Sequence, residues 1–180
     1  PRAVKLREYL SQTQYKETIQ YLDGFDRIVE TKILDDDATG YNETETTYDA
    51  LGRISSTTLP KASADYSYDS STVSSNLSES YTYDALGRVT AVTNILGTTT
   101  TDYNGFTKTV TDALGNPKEY VTDGLDRLVS VVEHLDGTTS TTSYTWDAMD
   151  HLMTTTDALG NVRNFAYDGR GLRLTAEDLH

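Results

Sequence analysis

At 180 residues the chain has the length of one ordinary domain. Its formal net charge of −13 sets 28 Asp and Glu against 15 scattered Lys and Arg, which opposes binding to nucleic-acid backbones or anionic lipid. Cysteine is absent, so disulfides, thiolate nucleophiles and thiolate metal ligands are excluded together, and no apolar run approaches the length of a membrane span. The 13 Tyr outnumber 3 Phe and 1 Trp, so the apolar surface is amphipathic and a dry core is expected to be thin. With Pro1 at the start and no charged-then-apolar leader, a soluble, processed section of a protein is expected.

In chain order, residues 1–14 read as a lead-in strand or linker, and residues 15–180 as a repeat sheet. The strong copies of the repeat are YLDGFDRIVE at 21–30, TYDALGRISS at 47–56, TYDALGRVTA at 82–91 and VTDGLDRLVS at 121–130. Weaker relatives lie between and after them: DATG at 37–40, NILG at 94–97, DYNG at 102–105, DALGN at 112–116, HLDG at 134–137, WDAMDH at 146–151, DALGN at 157–161 and YDGRG at 167–171.

Each relative is a turn signal. In D-A-L-G-R the Asp carboxylate caps following amides, two residues take right-handed angles, and Gly enters the left-handed region, giving a hairpin with a G1 bulge. The flanking segments are β-branched, aromatic and roughly alternating, so strands are expected throughout. From Asp84 onward turns recur about every 10 to 11 residues, the step of short strands joined by hairpins.

In such a meander alternate turns share one edge of the sheet. One edge takes the turns at Asp84, Asp102, Asp123, Asp147 and Asp168, and the other those at Asp112 and Asp157. Turns with an aromatic residue before Asp therefore fall on one edge. Tyr48-Asp49 and Tyr68-Asp69 join them if weak turns near Pro60 and Asn76 intervene.

The G1 register sets Asp23 opposite Arg27, Asp49 opposite Arg53, Asp84 opposite Arg88 and Asp123 opposite Arg127. One step outward, Tyr48 faces Ile54, Tyr83 faces Val89 and Trp146 faces Leu152. Aromatic–aliphatic pairs are expected on one face and ion pairs on the other. Gly52, Gly87, Gly115 and Gly160 take the left-handed position. Tyr66/Tyr68, Tyr81/Tyr83, Tyr144/Trp146 and Phe165/Tyr167, spaced by two, extend an aromatic ladder from Tyr48.

YDALGR with partner turns TDALGN resembles the YD, or RHS, repeats of bacterial RHS and wall-associated proteins, the B and C components of Tc toxins, and the teneurins. The resemblance covers roughly residues 15–175 and is fullest at Tyr48 to Arg53 and Tyr83 to Arg88. It implies an all-β strip of consecutive antiparallel hairpins that curves into a section of a hollow shell. In toxin members of the family such a shell encloses a toxin, and in teneurins it is an adhesion scaffold. The self-cleaving core motif near DPxGL has no counterpart here.

Paired carboxylates could act as acid and base, but their recurrence at the turn period favours capping. Asp35, Asp36 and Asp37 could bind calcium, though they lack an EF-hand ladder, and a solvated acidic loop is the simpler reading. His151 stands where other copies carry Arg, and no H-E-x-x-H, G-x-S-x-G or P-loop pattern occurs. The expected function is a non-enzymatic section of a shell, secreted or at the cell surface, without cofactor. Its partners would be flanking repeats and an enclosed toxin polypeptide, with edge-to-edge self-association at unpaired outer strands. The alternatives are an adhesion module binding glycan or protein through its aromatic face, and a hydrolase whose carboxylates the spiral brings together.

Overall fold

The structure is a computed structural model that describes residues 1–10, 15–35, 39–68, 77–135 and 137–179. Among these are sixteen β-strands, every pairing antiparallel, and no α-helix. The fold is an all-β meander of consecutive hairpins. The chain divides into two compact units, Pro1–Thr98 and Thr99–His180.

The first unit contains β1 (Arg2–Tyr9), β2 (Tyr15–Leu22), β3 (Ile28–Leu34), β4 (Tyr41–Tyr48), β5 (Ile54–Thr58), β6 (Lys61–Ser63), β7 (Ser78–Tyr83) and β8 (Val89–Asn94). The lead-in residues 2–9 pair along their whole length with β2, from Arg2↔Leu22 to Tyr9↔Tyr15. Pro60 does not reverse the chain, contrary to the sequence expectation. β5 pairs with the second half of β4 and β6 with its first half, so both run along the same neighbour, interrupted at Leu59-Pro60. Proline has no N–H to give the ladder, and Leu59 N–H turns instead to the Leu77 carbonyl at 2.7 Å. β5 then pairs directly with β7. The turns expected at Asp69 and Asn76 lie outside the described residues.

The second unit holds most of β9 (Gly97–Asn104), then β10 (Thr107–Thr111), β11 (Pro117–Thr122), β12 (Leu128–Leu135), β13 (Thr138–Trp146), β14 (Leu152–Thr156), β15 (Val162–Tyr167) and β16 (Arg173–Leu179). Asp102, expected in a turn, sits within β9 opposite Thr109. The reversal comes two residues later in the two-residue loop Gly105–Phe106, where Gly105 has φ +60° and Asn104 pairs with Thr107. Gly at the first central position suits a II′ hairpin turn, which was hidden by the Asp-Tyr-Asn-Gly run.

The turns with an aromatic residue before Asp carry a register shift where the strand enters the turn: Thr47/Tyr48, Thr82/Tyr83, Thr145/Trp146 and Ala166/Tyr167. Tyr48 thereby opposes Ile54, Tyr83 opposes Val89 and Trp146 opposes Leu152. Gly52, Gly87, Gly115 and Gly160 have φ between +82° and +88°. In the D-G-F-D-R, D-G-L-D-R and D-A-M-D-H copies the left-handed residue is not Gly but Asp26, Asp126 and Asp150, with φ +61°, +66° and +65°. Asp tolerates that region better than most L-residues but not freely. Asp126→Gly is therefore expected to stabilise the second unit by up to about 1 kcal/mol. A urea midpoint that falls or stays put would refute this.

Burial is concentrated in the first unit. Ile19 and Tyr21 are its buried apolar residues, and they share the β2–β4 face with Glu17, Glu30, Lys32 and Glu43, each at most 2% exposed.

Candidate functional site

Each Asp turn is built alike. Asp49 Oδ1 accepts hydrogen bonds from the Leu51 and Arg53 amides, both at 2.9 Å, and Oδ2 accepts one from Arg53 Nε at 2.7 Å. The Gly52 amide donates to the Asp49 carbonyl at 3.0 Å. Asp23, Asp84 and Asp123 repeat this with Arg27, Arg88 and Arg127. Asp147 does so with His151, and Asp112 and Asp157 with the side-chain amides of Asn116 and Asn161. Asp168 accepts from the Arg170 and Leu172 amides.

At Asp23, Asp49, Asp84, Asp112, Asp123, Asp147 and Asp157 these donors hold the carboxyl below its ordinary 3.8. The guanidinium is the chief cause at Asp23 and Asp123, the Asn side chain at Asp112 and Asp157, and the His151 amide at Asp147. At Asp49 and Asp84 burial is the largest influence and acts upward, but the Arg donors together outweigh it. Carboxylates whose oxygens are committed to their own turn are poorly placed to exchange protons with a substrate.

The aromatic residue before Asp has a different partner, and the sequence did not reveal it. Tyr48 Oη donates to the Ile28 carbonyl at 2.8 Å, while the Arg27 guanidinium lies 4.3 Å from the Tyr48 ring centre. Tyr83 donates to the Ile54 carbonyl at 2.7 Å with Arg53 4.4 Å from its ring, and Arg53 also donates to the Asp84 carbonyl at 3.2 Å. In the second unit Trp146 Nε1 donates to the Leu128 carbonyl, and Arg127 to the Asp147 carbonyl and the Asp150 carboxylate. Tyr167 donates to the Leu152 carbonyl and stacks on His151 at 4.6 Å.

Each aromatic–Asp turn is thus clamped to the preceding turn on its edge. The rings of Tyr48, Tyr83 and Tyr167 meet the previous arginine or histidine, and in all four, Trp146 included, the polar tip is tied to the backbone just beyond that residue. The expected separation of ion pairs and aromatics onto opposite faces is therefore wrong: Arg27 and Arg53 serve both. The opposite-edge turns at Asp112 and Asp157 carry Asn in place of Arg and Thr before Asp. A double-mutant cycle on Arg53 and Tyr83 is expected to give a coupling of about 0.5–1 kcal/mol; additivity would refute the clamp.

The second cluster is the ionic core of the first unit. Glu17 is held by Lys5 at 2.7 Å, Arg7 at 2.6 Å and the Tyr41 hydroxyl at 2.9 Å. Burial alone would raise its carboxyl, but these three donors outweigh it and bring it down to about 2. Lys32 bridges Glu30 at 3.2 Å and Glu43 at 3.0 Å, and Lys61 joins Glu43 to Glu45. A strap of residues 64–68 covers them. Lys32 Nζ donates to Ser63 Oγ and the Asp65 carbonyl, Tyr21 Oη donates to the Tyr66 carbonyl, and the Tyr21 and Tyr68 rings lie 5.5 Å apart. Tyr66 and Tyr68 therefore belong to this strap, outside any strand.

Tyr81, Tyr144 and Phe165 lie half-buried in β7, β13 and β15. Asp35 accepts from Asn42 Nδ2, and Asp36 and Asp37 lie outside the described residues. No cluster of three potential metal ligands occurs among the described residues. No helix among them is long and apolar enough to cross a membrane. A shallow groove of about 460 Å³ runs over β10–β13, lined by Val110, Pro117, Tyr120 and Leu135 with Lys118 and Glu133.

Capped, mutually clamped hairpins define a repeat sheet. The RHS Repeat family matches residues 123–162. The fold is similar to the crystal structure of TcdB2-TccC3-Cdc42, with a TM-score of 0.77 at 18% identity, covering 98% of this chain and 11% of that one. It is also similar to the Photorhabdus luminescens Tc holotoxin pore carrying a TccC3 mutation (TM-score 0.65, 15% identity, 97% and 12% covered). A third likeness is to TcdB2-TccC3 without its hypervariable C-terminal region (TM-score 0.66, 15% identity, 97% and 12% covered). The chain spans about one-ninth of these chains' length. No curated protein matches it in sequence. The match to the RHS Repeat model over residues 123–162 and the shared fold make the chain similar to RHS-repeat proteins.

Proposed function

We propose that the chain is a non-enzymatic structural section of an RHS-type shell, secreted or at the cell surface, that encapsulates or displays another polypeptide. The carrying observation is that the repeated Asp, Arg and aromatic residues are consumed in turn capping and in clamping one hairpin to the next. This is what a stiff wall requires. Flanking repeats continue the sheet at β1 and β16, whose outer backbone groups otherwise invite edge-to-edge pairing. An enclosed toxin polypeptide is the favoured cargo, by analogy with the similar solved complexes.

The test is protease protection in the full-length protein containing this section. The segment that follows the repeats should resist digestion until Tyr83, Trp146 and Arg53 are replaced. A segment cleaved at the same rate with the clamps intact would exclude encapsulation.

The adhesion reading is favoured by one observation, the groove beside Tyr120, whose ring lies 5.7 Å from Lys108 Nζ and 5.6 Å from Lys118 Nζ. Glycan-array binding lost on Tyr120→Ala would support it, and no binding to the intact chain would remove it.

A further inference from the structure

Lys32 is a buried nucleophile that neither the turn caps nor the clamps use. It stands directly opposite Glu43 across β3 and β4, and its Nζ lies 3.0 Å from Glu43 Oε2 and 3.2 Å from Glu30 Oε1. All three side chains are at most 1% exposed. In the ion pairs of Glu17 and of the turn aspartates, by contrast, at least one side chain is 20% or more exposed. On β2, Ile19 stands opposite Lys32 and Tyr21 opposite Glu30, and the strap closes over them through the bonds of Lys32 to Asp65 and of Tyr21 to Tyr66.

The groups around Lys32 hold more than an ion pair requires. Glu43 is gripped at both oxygens, Oε2 by Lys32 and Oε1 by Lys61 at 3.2 Å, so charge developing on Oε1 already faces a cation. Glu30 touches the same ammonium and is placed to carry its protons without solvent. Fixed neighbours react with effective molarities on the order of 10⁵ M or more. A buried ion pair also bears the cost of two desolvated charges, which a neutral amide does not. We infer that Lys32 and Glu43 condense to an intramolecular isopeptide bond that joins β3 to β4.

The ion pair is the reactant. One ammonium proton passes through Glu30 to Glu43 Oε2, leaving a neutral amine beside a neutral carboxylic acid. The amine lone pair attacks Glu43 Cδ, the Cδ–Nζ bond forms, and negative charge collects on Oε1 against Lys61. A second proton then passes from Nζ through Glu30 to Oε2, the Cδ–Oε2 bond breaks, and Oε2 leaves as water. Glu30 ends as the carboxylate it began as, and no other reagent is consumed. The product carries neither charge, so Glu43 drops out of the acid response of this unit.

Intact-mass measurement of the folded full chain after incubation at neutral pH should give the sequence mass less one water, about 18 Da. Trypsin separates residues 28–32 from 33–53 in the ion-paired chain. The cross-linked chain should instead yield residues 28–53 as one peptide lacking that water, whose two parts stay joined after a further cut before Asp35. Location decides the matter, because Asp-Gly pairs such as Asp23-Gly24 and Asp123-Gly124 also lose water. Lys32→Arg should keep its full sequence mass. Glu30→Gln should slow the cross-link at least about tenfold with the circular dichroism unchanged. A full sequence mass in the folded parent chain, or a lost water located at an Asp-Gly pair, would overturn the inference. A cross-link that forms as fast in urea-unfolded chain or in Glu30→Gln would overturn the proton path on which it rests.

Discussion

Lys32→Met is expected to destabilise the first unit by about 3–5 kcal/mol, more than any other single substitution in the chain. Lys32 is 1% exposed and lies between Glu30 and Glu43, themselves 1% exposed. Methionine fills similar volume but takes away the cation that Glu30 and Glu43 share, leaving Glu43 with Lys61, and removes the ammonium that ties Ser63 and Asp65 of the strap. Adding Glu30→Gln and Glu43→Gln should recover a large part of the loss, because the penalty comes from uncompensated charge and not from missing volume. Trp146 belongs to the second unit, so its fluorescence would not follow the event. Amide hydrogen exchange across β2–β4 is the measurement. A loss below about 1 kcal/mol would mean that solvent reaches the cluster and screens it.

The turns were legible because their chemistry is local. Asp, two right-handed residues, a left-handed residue and Arg occupy five consecutive positions, and the G1 register follows from them. Asp26, Asp126 and Asp150 were less legible, since Gly in those copies had moved to the second turn position or disappeared while the left-handed site stayed fourth. The clamps were out of reach because Arg27 meets Tyr48, and Arg53 meets Tyr83, across an intervening hairpin. A signal was nevertheless present: an aromatic before Asp recurs on the edge where the preceding turn ends in Arg or His. The ionic core was hidden for a different reason. Glu30-Thr-Lys32, Glu43-Thr-Glu45 and Lys61-Ala-Ser63 alternate as solvated strand faces do, and only the strap brings about their burial. Tyr66 and Tyr68, spaced by two, looked like one more strand.

Acid should open the first unit through Glu17. Its carboxyl sits at about 2 in the folded chain against an ordinary 4.5, so the unfolded state takes up the proton first as pH falls. The stabilisation is complete above about pH 4.5, declines between 4.5 and 2, and is gone below 2. Glu43 works in the same direction: burial acts upward on it, but Lys32 and Lys61 outweigh that and hold it low. The alkaline limb has the opposite sign. Burial and the bond to Glu17 raise Tyr41 to about 12 from an ordinary 10.0, so its contribution is intact below pH 10 and lost as pH climbs toward 12. Exchange protection across β2–β4 should therefore hold between about pH 4.5 and 10 and fall on either side. Glu17→Gln should lower the plateau, since Lys5 and Arg7 lose their counter-charge, yet flatten the acid limb because no proton remains to be taken up at that site. If the acid limb of the variant stays as steep as that of the parent chain, Glu17 is not the group that couples this unit to pH, and the turn-capping aspartates take over that role.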